Sequence, residues 1–187
     1  MLFRSITTAI FTLVALCGWA EEQKPIYIVN GCVRSVEEVE KISPSEIESV
    51  TIVRETKQLK LYEQFGDTSN GVVLISLLNE HVWAASEVPP TFMDGDVNTF
   101  LKWVMQNYRY PADMLAEKKS AKMMIKFIVS KQGFIDPQSI KFLESAEQPF
   151  MDEARRVLLS SPQWKPGLQK GEPVAVSFLI PIICTLQ

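Results

Sequence analysis

The sequence predicts an α+β protein built from two small modules, and three observations predict it. Short β-branched and aliphatic runs alternate with stretches whose apolar residues recur at helical spacing, as at Val97, Phe100, Leu101 and Val104. The tandem Pro89-Pro90 separates two halves with their own periodicities, because proline stiffens the chain and cannot continue a helix. At 187 residues, 47% hydrophobic and 22% charged, the chain holds enough apolar surface for packed cores, which excludes wholesale disorder.

Residues 1–20 read as a secretory leader. Arg4 starts it, an apolar stretch from Ile6 to Leu16 follows, and Gly18-Trp19-Ala20 presents small residues to a peptidase just before Glu21-Glu22. The competing readings are a retained anchor and a lipoprotein signal at Cys17. A span needs about 20 apolar residues, and this run is shorter and diluted by Thr7, Thr8 and Thr12. Bulky Leu16 stands where a lipoprotein signal wants a small residue. The leader implies a periplasmic protein. Without it, Cys32 and Cys184 remain, either bridged in an oxidising compartment or buried as small apolar residues.

The first module covers residues 25–80. Ile26–Val29 reads as a strand closed by Asn30-Gly31, a strong turn signal. A polar helix is expected over residues 35–41. Ser43-Pro44-Ser45-Glu46 is a helix start in which Ser43 caps, Pro44 takes the first position and Glu46 reaches back. The β-branched residues 50–53 favour a strand. Residues 59–65 suit a short helix ended by Gly66, and Asn70-Gly71 turns the chain into a buried strand at residues 72–75.

Residues 81–91 read as a linker and residues 92–187 as the second module. The helix carrying Val97 to Val104 is expected behind Asn98. Ala121–Val129 alternates, with Lys122 and Lys126 on the wet face. Gly133 turns the chain into a strand around residues 139–143, forming a hairpin. Phe150, Ala154, Val157 and Leu158 mark a helix behind Pro149, and residues 174–183 form a closing strand. Three strands and two helices are expected.

Several motifs in this half are jointly specific. They are Pro90-Thr91-Phe92, Trp103, Tyr110-Pro111, Met124 to Val129 before Gly133, Asp152-Glu153-Ala154, Ser161-Pro162-Gln163-Trp164-Lys165-Pro166-Gly167, Gly171 and Pro181-Ile182. On these residues the second module resembles the TonB C-terminal domain, an antiparallel three-stranded sheet with two helices. It departs at Met93-Asp94-Gly95 and Ser120-Ala121, which alters loops. The first module resembles a shortened plug domain of TonB-dependent receptors. The residues are Ile26 to Gly31, Ser43 to Val50, Tyr62 with Gly66, and Asn70-Gly71-Val72-Val73-Leu74-Ile75. It departs at Asn30, where an Asp is usual. The pairing is similar to small envelope proteins of the Bacteroidetes type.

The chemistry present is not that of an enzyme. The single histidine, His81, has no ligand partner at metal spacing, and phosphate-loop, nucleophile-elbow and dinucleotide motifs are missing. No metal or cofactor is expected. Glu37-Glu38 and Asp152-Glu153 read as solvated helix faces. A net charge of −3 with scattered Lys and Arg argues against nucleic acid. Tyr110, Trp103 and Trp164 form either an aromatic binding patch or core.

Backbone chemistry remains. Pro181 lacks a donor and is tolerated mainly at an edge or bulge, so the closing strand is expected at a sheet edge. Its residues Val174, Ala175, Val176, Ser177, Phe178, Leu179 and Ile180 could pair with an added peptide. The resemblance implies the TonB box of an outer-membrane receptor as that peptide, with Tyr110 beside it and inner-membrane energy-coupling proteins as further partners. A homodimer through the same edge is the competing reading. So is a periplasmic adaptor or regulator that binds receptor or sensor segments without energy coupling, because residues 21–90, if folded, are too compact to replace a proline-rich spacer.

Overall fold

The computed structural model describes residues 24–78, 81–144 and 146–186. The leader assigned to residues 1–20, with Cys17, lies outside the described residues. The chain divides into two compact units between Glu80 and His81.

The first unit is a four-stranded mixed sheet. Strand β1 (Ile26–Val29) turns through Asn30 and Gly31, at φ 46° and 72°, into antiparallel β2 (Cys32–Arg34). Both turn residues need positive φ, which Asn and Gly tolerate best. Helix α1 (Val36–Val39) is capped by Ser35, whose hydroxyl accepts from the Glu38 amide while the Glu38 carboxylate accepts from the Ser35 amide. A 3₁₀ turn, Pro44–Glu46, follows, and the Glu46 carboxylate accepts from the Ser43 amide at 3.0 Å. Strand β3 (Ile47–Val53), helix α2 (Thr56–Leu59), a 3₁₀ stretch Lys60–Phe65 and β4 (Val72–Leu77) complete the unit.

The sheet order is β2-β1-β4-β3, with β1 and β4 parallel at the centre. Tyr27, Val29, Val39, Val73 and Ile75 form a core cluster, with Val36, Ile42 and Ile52 packed against it. Residues 72–75 of central β4 read as an unbroken apolar run because a central strand is buried on both faces there.

The second unit starts earlier than the prolines indicate. Residues 81–91, expected as a linker, instead pair along this unit. Strand β5 (Val82–Trp83) lies parallel to the closing strand, and the Val88 and Thr91 backbones exchange hydrogen bonds with Leu168 and Lys165. Two prolines exclude a helix here but not extended backbone.

Helix α3 (Val97–Asn107) starts at Asp96, not Asn98. The Asp96 carboxylate accepts from the Asn98 and Thr99 amides at 2.9 and 3.2 Å, which makes Asp96 the cap and places Asn98 inside the helix. Next come α4 (Ala112–Ala116), β6 (Ala121–Val129), β7 (Lys141–Glu144), α5 (Gln148–Leu159), β8 (Gly167–Gln169) and β9 (Glu172–Cys184).

The expected three-stranded sheet is wider than predicted. Antiparallel β7, β6 and β9 form its centre, while β5 and β8 both pair with β9. The two added strands are too short to carry a periodicity. Met123, Ile125, Phe127, Val129, Ile180 and Ile182 are buried on one face, together with Phe100, Val104, Phe150, Ala154 and Leu158 of the helices. Lys122 and Lys126 lie exposed on the other face, as their alternation requires.

Candidate functional site

The candidate site is the outer edge of β9. Nine of its residues, Val176 to Cys184, pair in order with β6, from Val129 back to Ala121. On the opposite side β5 pairs only with Ala175 and Val176. Val176 therefore lies between Val129 and Trp83, inside the sheet. Val174 is paired with Gly167 of β8.

These pairings correct the expected open edge. Val174, Ala175 and Val176 are covered because the chain's own segments, β8 and β5, already occupy that part of the strand. The Ser177 hydroxyl lies 3.5 Å from the Trp83 carbonyl, and since Val176 bonds to β6, the parallel pairing of Trp83 with Val176 turns the Ser177 amide onto that same carbonyl. Beyond Ser177, to Cys184, no strand among the described residues pairs with the side away from β6. The open edge thus starts at the Ser177 carbonyl, three residues later than expected, and runs past Ile180.

Which amides point outward follows from alternation. The Ile128 amide donates to Ser139 Oγ and its carbonyl accepts from the Asp136 amide, both in the connection leading to β7. Antiparallel strands alternate the direction of their backbone groups, so Phe127 and Val129 turn toward β9. Their partners Phe178 and Val176, and with them Ile180 and Ile182, bond inward. Ser177, Leu179, Pro181 and Ile183 bond outward. Pro181 therefore occupies an outward position, where its missing N–H breaks no internal bond. The outward set offers free donors at Leu179 and Ile183 and carbonyls at all four, the Ser177 amide being taken by the Trp83 carbonyl.

Side chains follow the same alternation. Leu179 is 55% exposed and Ile183 50% exposed on the open face, while Ile180 and Ile182 are buried in the core. Phe178 packs inward, stacked on Phe127 at 5.6 Å between ring centroids. Of the predicted residues, Ser177 and Leu179 supply outward backbone groups, and Phe178 and Ile180 hold the strand down.

Tyr110 is a structural pin. Its ring meets Phe150 edge-on at 5.5 Å and its hydroxyl donates to the Lys119 carbonyl, which fixes the loop around α4. Trp164 is 2% exposed at the centre of an aromatic cluster with Phe92, Phe100, Phe127 and Phe178. Trp103 stacks on Phe100 at 6.1 Å, half-buried. The aromatic residues are core first.

The acidic and thiol groups are also engaged structurally. Arg156 forks onto Glu153 at 2.6 and 2.8 Å and reaches the Asn107 carbonyl, tying the end of α3 to α5. Glu153 is thus a clamp rather than the solvated face expected of it. Burial, then a hydrogen bond with Cys184, pushes the Tyr108 phenol far above its ordinary range, and burial raises the Cys184 thiol. Cys32 and Cys184 are both buried as free thiols. Among the described residues, no group of three or more His, Cys, Asp or Glu is placed to hold a metal ion, and no helix is long and apolar enough to cross a membrane.

The short strands were missed. Lys170-Gly171, with φ of 52° and 82°, is the turn that joins β8 to β9, and such a dipeptide between Leu168 and Val174 is a hairpin signal.

Residues 106–186 match the family described as Gram-negative bacterial TonB protein C-terminal. The matched stretch includes β6, β7, α5, β8 and β9 but less than half of the chain. It supports the resemblance to the TonB C-terminal domain, and with it a role in TonB-dependent envelope transport through protein interaction. A search of curated proteins finds no match.

Proposed function

With the C-terminal match as premise, we propose that the second unit is a periplasmic docking module for outer-membrane TonB-dependent receptors. It captures the TonB box, an extended segment, by strand addition to β9. The observation that supports this reading is the run of outward backbone groups from the Ser177 carbonyl to Ile183, left without a strand neighbour among the described residues. An added peptide satisfies these groups with main-chain hydrogen bonds, and alternating side chains set its register.

The occupied stretch at Val174 to Val176 strengthens the reading. Strand β5 stops at Trp83, so a docked segment would continue the lane that β5 begins. Exposed Leu179 and Ile183 supply apolar contact on one face of that lane. The first unit, residues 25–80, is proposed to be a plug-like body carried on the same chain. Its four-stranded sheet and Asn-Gly turns are the features that support this.

The test is calorimetric titration of the intact chain with synthetic N-terminal box peptides of outer-membrane receptors. Saturable binding that is lost with Leu179→Pro is expected. Binding unchanged in that variant, or no binding to any box peptide, overturns the reading.

A further inference from the structure

Resting on the docking reading, we propose that the captured segment carries a carboxylate level with Leu179, and that Lys126 selects it. The open face of the sheet is arranged in rows across the strands. Lys126 lies directly opposite Leu179 of β9 on one side and Lys141 of β7 on the other, and all three are exposed. Two ammonium groups facing each other across a strand pair repel. Neither Lys126 nor Lys141 has an ion-pair partner among the described residues. Lys122 differs, since Glu144 lies 3.7 Å from its Nζ.

Geometry brings an added strand within range. Neighbouring strands lie about 4.8 Å apart, so a segment beyond β9 runs roughly 10 Å from β6. A lysine lays its methylene stem over apolar surface and keeps its head in water. With its stem across Leu179, the Lys126 ammonium reaches a glutamate on the added strand. The other rows lack this feature. Ser177 is backed by Ile128, Pro181 is backed by Met124 and then Glu144, and Ile183 is backed by Lys122, whose charge Glu144 already answers. Only the Leu179 row sets two unanswered positive charges behind the open edge. A single acidic residue in an otherwise apolar and neutral segment is therefore pinned there, which fixes the register that Pro181 leaves loose.

The experiment uses two seven-residue peptides of alternating Thr and Val, identical except for Glu or Gln at the central outward position. Each is titrated into the intact chain and into Lys126→Met, followed by amide chemical shifts of Leu179 and Ile183. Expected is a two- to fivefold preference for the Glu peptide at low ionic strength, the size of an exposed ion pair. It vanishes in Lys126→Met, is retained in Lys126→Arg and falls away in high salt. Equal affinities for wild type, or a preference surviving in Lys126→Met, overturn the assignment while leaving edge docking intact. If neither peptide moves those amides, edge docking fails and the selection by Lys126 fails with it.

Discussion

The amide of Trp164 donates to the carbonyl of Gly133 at 2.8 Å, and a side chain at Gly133 would overlap the Trp164 carbonyl oxygen. The turn after β6 and the buried tryptophan before β8 thus hold each other through their backbones. Gly133 has φ of 80°, and Gly171, in the β8–β9 turn, has nearly the same φ of 82° but open space around it. Gly171→Ala therefore carries only the left-handed backbone penalty, about 1 kcal/mol. Gly133→Ala adds a clash with backbone that cannot swing away, so its cost exceeds that of Gly171→Ala by at least about 1 kcal/mol. Urea denaturation of both variants checks the difference.

Proline at two neighbouring β9 positions separates docking from folding. The Val176 amide bonds inward to β6, so Val176→Pro deletes a ladder bond and destabilises the unit by about 3 kcal/mol. The Leu179 amide points outward, so Leu179→Pro leaves the thermal midpoint within a few degrees of wild type. Thermal unfolding by circular dichroism reads both.

Trp164 is a core residue whose Nε1 finds no acceptor among the described residues. Trp164→Ala removes the centre of the aromatic cluster and costs about 3–5 kcal/mol. Trp164→Phe keeps a ring in the cluster and deletes the unpaired donor, so its cost is less than half as large. Chemical denaturation midpoints distinguish the two.

The cap of α3 makes part of the stability pH-dependent. Hydrogen bonds from the Asn98 side chain, then from the Thr99 amide, hold the Asp96 carboxyl below its usual range. A carboxyl depressed in the folded state contributes stability above its unfolded value, and that contribution is lost as pH falls through the folded value. The stability difference between wild type and Asp96→Asn is therefore constant from pH 7 to about pH 5 and shifts toward the variant below about pH 4. Denaturation series at stepped pH measure it.

Legibility tracked how much local sequence each feature spans. Ala121–Val129 was readable to the residue because its buried face repeats every second position from Met123 to Val129. The face of α3 was readable, but its start was not, since Asp96 and Asn98 are both good capping types and the backbone decides between them. Strand β5 is two residues chosen by a partner nearly a hundred positions away, and nothing local marks it. The edge was legible through Pro181 alone. Its limit at Ser177 was not, because that limit is set by where β5 and β8 stop.

Residue-resolved hydrogen exchange of the β9 amides, with and without a receptor box peptide, tests the edge most directly. The predicted pattern in the free chain is fast exchange at Leu179 and Ile183 and slow exchange at Val176, Ser177, Phe178, Ile180 and Ile182, with the fast set slowing on binding. Uniform protection along β9 in the free chain, or an unchanged fast set at saturating peptide, would contradict an edge that accepts a foreign strand.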